Sequence, residues 1–194
     1  MKISRFFQRC LLLLLHLHCI SAFTQSADSL AHALADKAEE LNNEKSLPFL
    51  DEAFTLCARG GCADSTIARP YQRKSVAIYL AQIDNDLSLI YTDSAIYFYE
   101  RAYGSEKLIT ANSYYNKGAI LSSLGRNEEG MPYIKTALEK LDLNDHLPAP
   151  IADSIMLNWK FQLMRLSHNI GDFNSTLRFG EFIVNYNHLF PFVV

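Results

Sequence analysis

The stretch SYYNKGAILSSLGRNEEGMPYIKTALEKL, Ser113 to Leu141, limits the possible folds more than any other part of the chain. Tyr114, Gly118 and Leu121 fall on one side of a first helix, and Leu124 and Gly125 close it. Ile134, Ala137 and Leu138 fall on one side of a second. Glycine inside a helix is costly, so Gly118 makes sense at a site where another helix approaches closely. Gly125 makes sense as the turn. So short a connection forces the two helices to run antiparallel.

The rest of the chain reads as further hairpins of this kind. DSLAHALADKAEEL places Leu30, Leu34, Ala38 and Leu41 on one face. SLPFLDEAFTLCA follows, with Ser46 as a cap and Pro48 tolerated in the first turn. RGGCADSTIARP reads as a loop closed by Pro70. Tyr71 to Ile90 reads as one long helix. Its partner TDSAIYFYERAYG is capped by Thr92 or Asp93 and stopped by Gly104. The second half of the opening stretch has Asn127 as a cap, and Pro132 delays or kinks the helix. NDHLPAP is a connector, and IADSIMLNWKFQLMRLSHNIG with DFNSTLRFGEFIVNY forms the last pair. The expectation is eight helices in four hairpins, with no strand.

The hairpin at Ser113–Leu141 resembles the tetratricopeptide repeat. That family sets a bulky, a small and a bulky residue on its first helix, here Tyr114, Gly118 and Leu121. Its second helix carries small, bulky and small residues, here Gly130, Ile134 and Ala137. Lys117 replaces a usual leucine, Gly130 a usual alanine, and Asp142 a frequent proline. Gly130 costs about 1 kcal/mol of helix propensity but still permits close approach. Ala53, Ala102, Ala137 and Ile183 are taken as corresponding positions of four degenerate units. Their intervals are uneven, so insertions are expected between hairpins. Gly171 and Phe173 mark the last unit. The resemblance implies an all-α, right-handed superhelix of antiparallel hairpins over residues 23–194.

Residues 1–22 have the order of a secretory signal peptide. Lys2, Arg5 and Arg9 precede an apolar run containing His16, His18 and Cys19, and small residues up to Ala22 follow. The run is short for a bilayer span, which takes about 20 residues. Export to the periplasm or outside a bacterial cell is the expectation. Removing three basic groups takes the formal net charge of -3 further negative. An acidic domain without a basic stripe is not suited to nucleic acid or to anionic membrane surfaces. Cys57 and Cys62 remain, separated by Gly60 and Gly61, which let the chain double back. A local disulfide and a pair of free thiols are both open readings.

Catalytic and metal chemistry find little footing. His32, His146, His168 and His188 occur in no metal-binding spacing, and no Gly-rich phosphate loop appears. No nucleophile, base and orienting group can be assembled, so neither an enzyme activity nor a cofactor is expected. The family resemblance implies a protein or peptide partner held by the first helices. In the best unit this assigns Asn112, Tyr115, Asn116 and Ala119 to the partner face, with the two asparagines one turn apart and Tyr115 free to stack. A regulatory segment of a larger exported enzyme or sensor, such as a CHAT-type peptidase or a kinase, is the alternative. The apolar end NHLFPFVV points to docking on a partner, self-association or truncation.

Overall fold

The same turn is made three times, and it organises the molecule. Ile83, Arg126 and Asp172 each donate their N–H to the carbonyl five residues back, at 3.1, 3.0 and 2.9 Å. Gln82, Gly125 and Gly171 each donate to the carbonyl three residues back and take positive φ, at 54°, 76° and 79°. This is the Schellman ending, which satisfies the orphan carbonyls of a helix and turns the chain back.

The computed structural model describes residues 26–41, 43–105, 107–142 and 148–189. The expected signal segment, His146 and the apolar end from Phe190 lie outside them. The described residues form eight helices and no strand. A first helix, α1, covers 26–39. It is followed by α2 (Asn43–Gly60), α3 (Asp64–Leu80), α4 (Asn85–Tyr103) and α5 (Leu108–Ser123). Then come α6 (Asn127–Asp142), α7 (Ala149–Asn169) and α8 (Phe173–Leu189). From α2 onward each helix packs on its neighbours in sequence, and α3, α5 and α7 also touch in order. The first helices of the hairpins thus form one layer and the second helices the other. Contacts that reach only adjacent units define a helical-repeat solenoid.

The second helices reveal the repeat length. They begin at Asn43, Asn85 and Asn127, each 42 residues after the last. Ala53, Ala95 and Ala137 keep that spacing, and all three are fully buried. The register taken from the sequence is therefore corrected: Ala95, not Ala102, is the second unit's contact alanine, and Ala102 is only half-buried. With Ala95 in place no insertion is needed between the first three second helices. Ile183 follows 46 residues after Ala137, because the connector between α6 and α7 is longer.

Three boundaries also differ from expectation. Of the segment read as a loop from Arg59 to Pro70, only residues 61–63 are non-helical: Arg59 and Gly60 end α2, and from Asp64 the chain is already α3, with Pro70 inside the helix. Its ring is fully buried, and apolar burial offsets the hydrogen bond that proline cannot make. The long helix expected from Tyr71 to Ile90 is broken at the first Schellman turn. There Gln82 takes the left-handed conformation, and Asp84, not Thr92 or Asp93, caps α4 by accepting from Leu87 N at 2.9 Å. At the start of α6, Arg126 supplies the first carbonyl, accepting from Gly130 N. Asn127 is already helical, and its side chain bonds back to Ser122 and Gly125. Finally, α1 buries Ala27, Ala31, Ala35 and Ala38, while Leu30 is 48% exposed. Small side chains let α1 lie close to its neighbours, which a leucine stripe would prevent.

Between α5 and α6 the backbones meet. A Cβ added at Gly118 would lie 2.4 Å from Ile134 Cγ1 and 2.8 Å from the Gly130 carbonyl oxygen. One added at Gly130 would lie 2.7 Å from the Gly118 carbonyl oxygen. The equivalent crossing in α3 and α4 is made by Ser75, Ser88 and Thr92, all buried and hydrogen-bonded together. In α7 and α8 it is made by Met164 and Gly180, 3.6 Å from Met164 Sδ to a Cβ at Gly180. Small and large residues have exchanged sides there, which conserves volume.

Lys117, unusual by the family pattern, is part of a repeated device. It pairs with Asp93 on α4 at 2.5 Å, and its ammonium lies 4.3 Å from the centre of the Tyr133 ring on α6. One unit earlier Lys74 pairs with Asp51 and lies over Tyr91. Burial alone pulls the Lys117 pKa down, but hydrogen bonds to Asp93 and Tyr133 outweigh it and hold the group above its ordinary value. Each lysine thereby ties the second helix of one unit to the hairpin of the next.

Cys57 and Cys62 are disulfide-bonded, with Cα atoms 4.7 Å apart, across the turn from α2 to α3. Gly61 in that turn has φ 65°. Closing so short a loop is worth about 2 kcal/mol by chain entropy. Reduction with dithiothreitol should therefore lower the thermal midpoint by about 4–8 °C for a domain of this size. A midpoint that does not move would mean that the bridge adds no constraint.

Candidate binding face

The first-helix layer is not uniform. Between α1 and α3 its charged groups neutralise one another. Arg69 lies 2.6 Å from Asp36 and 2.7 Å from Glu39, and Arg73 pairs with Glu39 as well. Asp28 accepts from Ala63 N at 3.0 Å, and Thr66 lies within hydrogen-bonding distance of His32. This end of the layer is occupied by its own contacts.

Farther along, between α5 and α7, fewer of the polar groups are taken up. Asn112, Tyr115, Asn116 and Ala119 share one side of α5 by helical spacing, and all four are half-buried. Among the described residues the side chains of Asn112 and Asn116 have no hydrogen-bond partner. Across the seam, Asn158, Phe161, Gln162 and Arg165 share one side of α7. Phe161 is 47% exposed, and Arg165 donates to Gln162 Oε1 at 3.2 Å. Arg165 forms no ion pair with another described residue.

Tyr115 joins the two faces. Its ring stacks on Trp159 of α7, with centroids 5.1 Å apart and planes 13° from parallel. Its hydroxyl donates to Asn158 Oδ1 at 3.1 Å. Burial raises its pKa, and the positive charge of Arg165 opposes that rise. Trp159 itself is buried with Leu163 and Leu166 against Ile134, Ala137 and Leu138 of α6. The ring that the sequence offers to a partner is thus engaged by the next unit, which leaves Asn112 and Asn116 as the accessible polar pair of that row. The α7 groups were missed because the sequence reading carried the partner face onto one unit only. Shifting Asn112, Tyr115 and Asn116 by 46 residues, the offset between Gly125 and Gly171, lands on Asn158, Phe161 and Gln162.

Two clefts border this region. One of about 350 Å³ lies against Met164, Arg165, His168 and Thr176, and the Thr176 hydroxyl is bonded to the Asp172 carbonyl at 2.8 Å. The other, about 450 Å³, is polar and lies between the last two hairpin turns, against Arg126, Asn127, Glu129 and Asn169. Arg126 is held there in a bidentate pair with Glu129 at 2.8 and 2.6 Å. Among the described residues no group of three or more His, Cys, Asp or Glu side chains is placed to hold a metal ion. No described helix is long and apolar enough to cross a membrane.

No protein-family model matches the chain, and no curated protein matches it. Among solved structures it is similar to BtubC (BKLC) from P. vanneervenii, with a TM-score of 0.72 at 17% sequence identity. That similarity covers 87% of this chain and 65% of BtubC, so the chain spans less than two thirds of that protein's length. At this identity the likeness shows the all-helical, repeat-like fold and nothing further.

Proposed function

We propose that the chain is a non-catalytic interaction scaffold of the exported, tetratricopeptide-like type, which holds an extended peptide or a partner's exposed segment across α5 and α7. The observation that carries this reading is the pair Asn112 and Asn116. These are two half-buried amides, one helical turn apart, without a partner among the described residues. Half-buried amides gain most when an incoming backbone supplies both donor and acceptor. Asn158, Gln162 and Arg165 extend the row, and Phe161 offers an apolar contact. The Cys57–Cys62 bond supports an oxidising compartment, and so export. The 42-residue unit is longer than the 34 residues usual in the tetratricopeptide family, so the likeness is to its packing and not to its length.

Selection from a displayed library of random peptides against residues 23–194 tests the reading. The selected peptides should share a sequence pattern. Asn112→Ala with Asn116→Ala should weaken their binding roughly tenfold, at about 0.5–1.5 kcal/mol for each hydrogen bond lost, with an unchanged helical spectrum. Selection that enriches nothing, or peptides indifferent to the double substitution, would contradict it.

A further inference from the structure

The arginines of the first-helix layer differ in what they hold. The residues of α3 that correspond to Asn112 and Asn116 lie 43 earlier, the offset between Lys74 and Lys117, and are Arg69 and Arg73. Both are neutralised from within the molecule, by Asp36 and Glu39 of α1. In this layer, then, a guanidinium takes carboxylates from the element that lies alongside it. Arg165 ends the same row on α7. Its charge reaches the Tyr115 hydroxyl at the α5–α7 seam, yet among the described residues its one hydrogen bond is to the neutral Gln162.

No neighbouring carboxylate answers Arg165. Helix α5 contains no Asp or Glu. The one acidic residue of α7, Asp153, lies beside Tyr186 of α8, roughly 18 Å away along the helix. The cleft against Met164, Arg165 and His168 leaves space beside the guanidinium for a side chain from outside.

Helical geometry sets the spacing of what fits. Exposed Phe161 precedes Arg165 by one turn, a rise of roughly 6 Å. An extended chain advances roughly 6.7 Å in two residues and turns alternate side chains to the same side. Residues i and i+2 of such a chain therefore meet both groups. Its backbone groups repeat at the same distance, which matches Asn112 and Asn116, also one turn apart.

Resting on the binding reading above, we propose that the partner segment presents an aspartate or glutamate to Arg165 and, two residues away, a large apolar side chain to Phe161. A charged hydrogen bond in a half-enclosed seam adds both affinity and selectivity to the backbone contacts.

The peptides selected against residues 23–194 should carry an acidic and a large apolar residue two positions apart. Arg165→Glu should weaken them roughly tenfold to a hundredfold, the range for a hydrogen bond to a charged group, with an unchanged helical spectrum. A fresh selection against Arg165→Glu should place Lys or Arg where the acid stood. Phe161→Ala should relax the apolar position and leave the acidic one. Added salt should weaken binding to the wild-type protein more than to Arg165→Gln. Peptides that depend on Asn112 and Asn116 but lack the acid, that keep the acid against Arg165→Glu, or that space the two groups three or four apart as a helix would, overturn this inference and leave the binding reading standing. A selection that enriches nothing overturns both.

Discussion

Replacing Gly118 with alanine will lower stability, although alanine is the better helix former by about 1 kcal/mol. The added methyl group would lie 2.4 Å from Ile134 Cγ1 and 2.8 Å from the Gly130 carbonyl oxygen. A side chain can rotate away, but a backbone oxygen moves only if the helices separate. Overpacking of this kind costs about 1–3 kcal/mol, and it acts beneath Ile134, which is fully buried in the core. Leucine at the same position should cost more, since its whole side chain must enter the α5–α6 contact. Urea unfolding followed by circular dichroism measures both. The expected order of midpoints is wild type, then alanine, then leucine. Combining Gly118→Ala with Ile134→Val should recover little of the loss, because valine keeps the Cγ atom that the methyl group meets and the backbone contact remains. A midpoint that rises with alanine would mean that α5 and α6 are not in backbone contact.

Trp159→Ala should be the most damaging single truncation at a unit boundary. Trp159 is 4% exposed, packs with Leu138 and Leu163, and carries the stacked Tyr115. Truncating a buried aromatic of this size costs about 3–5 kcal/mol, a large share of the roughly 5–15 kcal/mol that holds a domain together. Tyr115→Phe keeps the stack and loses only the bond to Asn158, so it should cost about 1 kcal/mol. Tyr115→Ala should fall between the two. The chain has one tryptophan, so its fluorescence in the wild-type protein reports the α5–α7 seam directly. Its unfolding transition should coincide with that of the helical signal. If Trp159→Ala were neutral, the last hairpin would not depend on the seam.

Much of the architecture was legible because local chemistry and packing agreed. Gly125 announced a turn, Gly104 announced a stop, and the 3.6-residue period gave the helices. What escaped was carried by residues whose ordinary preferences point elsewhere. Gln82 adopts the left-handed conformation that glycine takes at 125 and 171, so no glycine marked the break between α3 and α4. Pro70 punctuates most sequences, but here its buried ring lies inside a helix. Ala95 and Ala102 lie two helical turns apart on the same helix, and only burial separates them. The proposed binding face was half legible. Asn112 and Asn116 follow from the family pattern, whereas the engagement of Tyr115 depends on Trp159, 44 residues away, and no local rule links the two.

The solenoid repeats with a unit of 42 residues, and that unit can be removed. Deleting residues 85–126 joins Asp84 to Asn127, which takes the place of Asn85 beside the same cap. It pairs α3 with α6 and leaves the α6–α7 contact unchanged. Thermal unfolding of this shortened chain, followed by circular dichroism, should show a helical protein that melts cooperatively at a lower midpoint. A deletion of residues 85–118, the length of a 34-residue repeat, should give no cooperative transition, because it puts the tail of α5 where a second helix belongs. A 42-residue deletion that fails to fold, or a 34-residue deletion that folds as well, would contradict the repeat as described.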